Sequence, residues 1–440
     1  MTLHPLRSRL RSVDPVLRTG RVRKIMPTHI EADGPNIAIG TMCTIETRSD
    51  AGLESICAEV VQVDRESIVL SPLEEGAPTF AGALVTACAD AGSVPVGAAL
   101  LGRAVDALAR PIDGLGTLRG ALYRPMRGEI VSPLDRASPA QIFETGLRAV
   151  DGLLTLGEGQ RIGIFAASGV GKTSLMTQIA RQAKADVTIL CLVGERGREV
   201  ESIWNQGFDA QARARSVLVA ATSDQSAAMR VRAGHYALAL ADYWRGEGKQ
   251  VLLVLDSVTR LAMAMREIGL AAGEPPTVRA YTPNVFAAIP KMVERCGALR
   301  AGGAITAVIT VLSENDEVDD PICELMKSLL DGHIILSRTL AERGHFPAID
   351  CTRSISRQAA DLVSDDQNRQ ATQVTEWLSV HEASRTLIET GLYAKGSNAG
   401  IDRAVERYPE IMRFLRQDRG ERIDVASTAV ALALVAEGGT

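Results

Sequence analysis

The eight residues Ala166-Ala167-Ser168-Gly169-Val170-Gly171-Lys172-Thr173 constrain this chain more than any other feature. The run before them, Arg161-Ile162-Gly163-Ile164-Phe165, reads as a strand, and Ser174-Leu175-Met176-Thr177-Gln178-Ile179-Ala180 reads as the first turns of a helix. A glycine-rich turn between strand and helix aims several backbone N–H groups and the positive end of the helix at one point. Lys172 adds a mobile cation suited to the β- and γ-phosphates of a nucleotide, and the Thr173 hydroxyl is a ligand for Mg2+. Ser168, Gly169, Val170, Gly171, Lys172, Thr173 and Ser174 are therefore the expected triphosphate cradle, with a nucleotide and Mg2+ as the ligands. The pattern ordinarily opens with Gly, and here it opens with Ala166. If that position needs positive φ, its Cβ costs roughly 1 kcal/mol. If it completes the strand, it costs nothing.

Around the loop, short apolar strands alternate with helices. Strand candidates are Ile162–Phe165, Val187–Val193, Ser216–Ala221, Val251–Leu255 and Ile305–Leu312, and the plainest helix is Gln225–Gly246. That alternation implies a mostly parallel sheet covered on both faces. Upstream, the runs Gly20–Ile25, Thr28–Ala32, Met42–Glu46, Glu59–Val63 and Ser67–Leu70 alternate with turn signals and predict a small barrel or sandwich. Gly102, Pro111, Gly114 and Gly116 mark a linker after it. Beyond about Arg357, Arg369–Thr390, Ile401–Arg416 and Ala426–Ala436 read as helices, interrupted at Gly396-Ser397-Asn398 and Gly400. The resulting division is a basic arm at 1–19, a β-rich domain at 20–92, a nucleotide-binding domain at 93–357 and a helical domain at 358–440.

Bulk composition narrows the partners. A chain of 440 residues exceeds one ordinary core, and 46% hydrophobic with 23% charged residues describes a globular protein. A net charge of −5 gives no global basic field for nucleic acid, and 4% aromatic residues leave few stacking platforms for single strands. No apolar run approaches the roughly 18 residues that span a bilayer. The seven cysteines are scattered without C-x-x-C spacing, as expected of thiols in a reducing cytoplasm. Arg7, Arg9, Arg11, Arg18, Arg21, Arg23 and Lys24 stand against Asp14 alone near the N-terminus, an arm suited to a partner or an anionic membrane surface.

Two carboxylates complete the candidate site. Val251-Leu252-Leu253-Val254-Leu255-Asp256 is an apolar strand ending in an acid, placed to orient the water shell of Mg2+ beside Thr173. Glu195 follows the strand ending at Val193, where an α/β sheet presents residues to its ligand. A carboxylate there can hold and polarise an attacking water.

The chain resembles the type III secretion ATPases, the group of flagellar-export and injectisome ATPases related to the catalytic β-subunit of F-type ATP synthases. The resemblance runs from about Gly20 to about Asp418. It is carried by Gly157-Glu158-Gly159-Gln160-Arg161, Gly194-Glu195-Arg196-Gly197-Arg198-Glu199-Val200, Asp256-Ser257-Val258-Thr259-Arg260, Arg266-Glu267-Ile268-Gly269-Leu270, Leu330-Asp331-Gly332-His333-Ile334-Ile335-Leu336-Ser337-Arg338 and His345-Phe346-Pro347-Ala348-Ile349-Asp350. It implies an α/β RecA-like ATPase core with an N-terminal small β-barrel and a C-terminal helical domain. It further implies Lys172 and Thr173 as phosphate and Mg2+ ligands, Glu195 as catalytic carboxylate and Asp256 as the metal-strand acid. Arg196 becomes a second charge near the γ-phosphate, Phe346 the aromatic stacked on adenine, and Arg357 a finger reaching a neighbouring subunit's nucleotide, with Arg353 competing for that role. The sequence departs from the family at Ala280-Tyr281-Thr282-Pro283-Asn284, at Met265 and at the acidic stretch Glu314-Asn315-Asp316-Glu317.

By the same resemblance the protein forms a homo-oligomer, a hexameric ring, in the cytoplasm and peripherally at the inner face of the bacterial inner membrane. Its implied partners are a stator or regulator protein on the N-terminal arm, a central stalk protein, the export gate and chaperone–substrate complexes, which it recognises and unfolds. Ala221-Thr222-Ser223-Asp224 and Arg353-Ser354-Ile355-Ser356-Arg357 favour the injectisome over the flagellar branch. Two other readings share parts of this pattern. A Rho-like nucleic-acid translocase ATPase is opposed by the acidic pI of about 5.8 and scarce aromatics. A non-catalytic rotary-ATPase subunit is opposed by the presence of Glu195.

Overall fold

A computed structural model of the chain describes residues 16–50, 52–74, 78–88, 92–128, 131–313 and 320–437. Most of the expected N-terminal arm (1–15) and the acidic stretch at 314–317 lie outside the described residues.

The β-rich segment closes on itself. Strands β1 (Thr19–Ile25), β2 (Ile30–Ala32), β3 (Met42–Ser49), β4 (Gly52–Val63), β5 (Ile68–Pro72) and β6 (Leu84–Ala87) form a barrel in the order β1-β2-β5-β4-β3-β6. Closure removes both exposed edges, and a register shift between Val60 and Gln62 lets the long β4 curve. Alternate residues point inward, so Val22, Ile30, Ile45, Val60, Leu70 and Val85 make a separate core. The barrel outcome of the barrel-or-sandwich expectation depends on β6, which the sequence reading did not identify. It pairs with both β1 and β3, Thr19 opposite Thr86 and Cys43 opposite Ala87.

The central sheet contains β7 (Arg103–Asp106), β8 (Arg161–Ala166), β9 (Val187–Val193), β10 (Ser216–Ala221), β11 (Gln250–Asp256), β12 (Ala304–Leu312), β13 (Gly332–Ile335) and β14 (Ile355–Ser356). Their order is β14-β13-β8-β12-β11-β9-β10-β7, with every pairing parallel except β13 with β14. Helix-covered parallel strands are buried on both faces, and all seven residues of β9 are buried. One correction concerns the stretch around Gly102. Read as a linker, it instead supplies the edge strand β7, whose Val105 pairs with Val219. Four residues ending in Asp106 are too short and too polar at the ends to display a strand pattern.

The helices that position the site are α1 (Lys172–Gln182), α2 (Gly197–Gln206) and α3 (Ala227–Gly246). Three C-terminal helices, α4 (Asp365–Glu389), α5 (Ala399–Leu415) and α6 (Val425–Glu437), follow the expected spans to within a few residues. Their buried Val374, Trp377, Phe414 and Leu432 belong to the same apolar cluster as Leu175, Met176 and Leu190 of α1 and β9. The barrel thus has its own core, whereas the C-terminal helices share one with the loop-bearing face of the sheet.

Candidate active site

β8 ends at Ala166, and Ala166 is a buried strand residue. The substitution at the head of the loop therefore carries no backbone penalty. Positive φ is needed three and five residues later, at Gly169 (83°) and Gly171 (95°), where glycine is present. Gly171 caps α1, so the free N–H groups of the first turn face the loop's concavity. Ser168, Gly169 and Thr173 are exposed, Ser174 is half-buried and Val170 anchors the loop by its buried side chain.

The strand ends bring the acids to the lysine. β8, β12, β11 and β9 are neighbours in that order, so the residues at their C-terminal ends share one edge of the sheet. Lys172, Glu195 and Asp256 are 9%, 5% and 0% exposed, which makes this the buried charged cluster of the loop. Lys172 Nζ donates to Asp256 Oδ1 and lies 3.7 Å from Glu195 Oε1. Two residues without an assigned role in the sequence reading join them. Arg260 Nη1 lies 2.8 Å from Glu195 Oε2 and also donates to the Gly194 carbonyl. The Thr310 hydroxyl, on β12, donates to Asp256 Oδ1 at 2.6 Å. Arg260 lies four residues after Asp256, and nothing in that spacing shows that it folds back on Glu195. Thr310 left no signal beyond a polar residue in an apolar strand.

Burial dominates the electrostatics. It pushes the Glu195 carboxyl above the usual carboxylate range, Glu199 and Asp256 push the same way, and Lys172 and Arg260 oppose them. Two cations and two carboxylates balance locally. Asp256 Oδ2 is buried with no hydrogen-bond partner among the described residues. An orphaned carboxylate oxygen at the strand end, with an exposed Thr173 hydroxyl in the first turn after the loop, is a donor set that fits Mg2+ through its water shell.

The remaining candidates divide. Phe346 is 39% exposed and lies across Gly171, where an added Cβ would sit 3.4 Å from the ring. Its carbonyl accepts from the Gln417 N–H at 3.0 Å. Gln417 is a further residue the sequence reading passed over, and it is a hub: buried, it accepts from Arg148 N at 2.9 Å and donates to the Gly146 carbonyl at 2.8 Å. Beside Thr173 and Ser174 a cavity of about 310 Å3 continues along Thr177 and Gln178 to Arg419. Arg196 points away, 68% exposed and 3.8 Å from Glu199, and does not join the cluster.

Arg357 also stands apart, at the opposite end of the sheet. Its N–H bonds to the Asp331 carbonyl, Ser356 pairs with Gly332 and Gly332 with Ile162, so Arg357 is level with the first residues of β8. About 16 Å of strand separates that level from the chain's own phosphate loop. Arg353 lies higher, beside the C-terminal half of β13, where Ser354 Oγ accepts from Ile335 N at 2.9 Å.

Comparison with known proteins places this arrangement. Residues 146–356 match the family described as ATP synthase alpha/beta family, nucleotide-binding domain, and residues 363–433 match the T3SS EscN ATPase C-terminal domain. The flagellum-specific ATP synthase of Bacillus subtilis is 42% identical over 419 residues, 95% of each chain. The type 3 secretion system ATPase of Xanthomonas euvesicatoria is 42% identical over 400 residues, 91% of this chain and 90% of that one. The assembled ATPase EscN of enteropathogenic E. coli superposes with a TM-score of 0.88 at 38% identity, covering 95% of this chain and 100% of EscN. EscN in complex with its central stalk EscO gives a TM-score of 0.86 at 37% identity, over 95% of this chain and 100% of that one.

Proposed function

The chain belongs to the family of ATPases that serve flagellar and type III protein export, and from this we propose how its residues carry the reaction. The observation that supports it most directly is the convergence of Lys172, Glu195 and Asp256 at the mouth of the loop. Main-chain N–H groups from Gly169 to Ser174 cradle the triphosphate of ATP, and Lys172, with three donors, keeps two beyond the one given to Asp256. Thr173 and Asp256 would hold Mg2+, which would supply positive charge to the triphosphate. Glu195 orients the attacking water. Because Arg260 engages Oε2, Oε1 is the atom that accepts the water's proton. The base and ribose extend past Ser174 towards Arg419, and Phe346, whose ring lies against Gly171 at the loop, stacks on the adenine.

Arg357 completes a neighbour's site, and Arg196 adds charge at the same junction. A finger placed away from its own loop requires a head-to-tail interface, and a closing head-to-tail interface makes a ring. A hexamer threaded by a stalk protein is the assembly we infer, since EscN is described as assembled and in complex with its stalk EscO. Export gate, N-terminal regulator and chaperone–substrate partners, unfolding of the cargo, and a cytoplasmic position against the inner membrane complete the proposal. Among the described residues no helix is long and apolar enough to cross a membrane. Equal 42% identity to a flagellar and a secretion relative leaves the injectisome reading resting on residues 221–224 and 353–357.

The decisive experiment is Glu195→Gln. We expect ATP turnover to fall by about 10²- to 10⁴-fold with nucleotide affinity retained. Unchanged phosphate release from that variant overturns the assignment.

A further inference from the structure

At the foot of the central sheet, away from the phosphate loop, a cavity of about 490 Å3 opens between the C-terminal end of α1, the short helix Ala210–Ala214 before β10 and the segment 420–422. Its volume is in the range of small-molecule sites. Four cations line it, Arg181, Lys184, Arg215 and Arg422, with Asp209 the one carboxylate. That excess is local, because the whole chain carries −5.

The charges there are incompletely compensated. Arg422 pairs with Glu144 at 2.7 Å. Asp209 is already engaged as a helix cap, accepting from Ala212 N at 2.8 Å. Arg215 has no carboxylate partner among the described residues. Its guanidinium donates to the carbonyls of Arg181 (2.8 Å), Ala183 (3.1 Å) and Ala185 (3.0 Å). Those bonds satisfy the end of α1 but supply no negative charge; burial and then Arg422 lower its basicity, and the Asp209 carboxylate opposes them only in part. Lys184 is exposed at the rim and forms no ion pair among the described residues. Converging guanidinium groups in a concave polar site cost folding energy unless an anion supplies the missing charge. Arg215 spends its Nη donors on those three carbonyls and on Thr188 Oγ1 (3.4 Å) and so contributes charge, whereas Arg181 and Arg422 keep N–H groups beyond those given to the Arg419 carbonyl and Glu144 and can, with the Lys184 ammonium, donate to a tetrahedral oxyanion.

We propose that this cavity is a binding site for a compact multivalent oxyanion of the phosphate or pyrophosphate class, separate from the phosphate loop. The wall between it and the cavity beside Thr173 is the strap 418–422. Gln182 fastens that strap through Nε2, at 3.3 Å from the Arg419 carbonyl and 2.9 Å from the Glu421 carbonyl, and Arg181 lines both cavities. The site stands whether or not Glu195 is the catalytic base.

The test is calorimetric titration of pyrophosphate into the full chain at low salt and without divalent metal, with the phosphate loop saturated by ADP. One binding event is expected to remain and to persist in Lys172→Ala. It weakens by at least about tenfold in the double variant Lys184→Gln/Arg422→Gln, the loss of one or two charge-assisted contacts. Lys184→Gln alone guards against misfolding: it is expected to weaken binding in a chain whose melting temperature is unchanged. Loss of the event under saturating ADP, or wild-type affinity in the double variant, overturns the proposal. Displacement of pyrophosphate by an equal concentration of hexaglutamate overturns it too, in favour of an acidic peptide.

Discussion

In the proposed reaction Glu195 is the base, and its environment fixes a testable pH dependence. Its carboxyl titrates above its ordinary value of 4.5, chiefly through burial, and a base must be ionised to work. The acid limb of kcat/KM therefore lies above that value, with activity falling as pH falls through it. Arg260 opposes the upward push, so Arg260→Ala is expected to move the limb to higher pH, read from a pH–rate profile of the free enzyme. An unmoved limb means Arg260 does not set the carboxylate. Thr310 makes the complementary case on Asp256: Thr310→Val deletes a donor to a fully buried carboxylate and is expected to cost about 1–3 kcal/mol, measured by urea unfolding. At this scale the sequence displayed the loop, Asp256 and Glu195, because loop chemistry and strand ends are local. Arg260 and Thr310 escaped it, because their roles are contacts across the sheet edge between residues 65 and 54 positions apart, Glu195 with Arg260 and Asp256 with Thr310.

Among the elements, long segments with one clear period were legible and short or two-faced ones were not. Helix α3 was expected at Gln225–Gly246 and spans Ala227–Gly246, and β9 and β10 stand where their apolar runs placed them. Strands β6, β7, β13 and β14 were missed, since two to four residues cannot display a period. The departure at 280–284 has a conformational meaning that the sequence could not supply. Arg279 and Ala280 hold φ of 51° and 60°, in the left-handed region that favours glycine. A left-handed Cβ costs roughly 1–2 kcal/mol. Ala280→Gly is accordingly expected to raise thermal stability by about 1 kcal/mol, checked by calorimetric melting, and a lowered midpoint contradicts the strain.

For the whole molecule, the separation of Arg357 from its own loop decides the expected kinetics. Specific ATPase activity should rise steeply with protein concentration as neighbours complete each other's sites, and Arg357→Ala should flatten that rise by about 10³- to 10⁵-fold in rate while nucleotide binding persists. Arg353→Ala provides the comparison, and a flat wild-type profile excludes shared sites. The sequence by itself determined the chemistry and the class of fold, because a phosphate loop, a strand-terminal acid and alternating βα runs are short-range patterns with a fixed physical reading. The tertiary structure alone decided which side chains meet: the closed barrel through β6, Arg260 on Glu195, Gln417 tying Phe346 to Arg148, and Arg357 at the far end of the sheet. Those outcomes depend on strand order and register, which no local stretch of residues encodes.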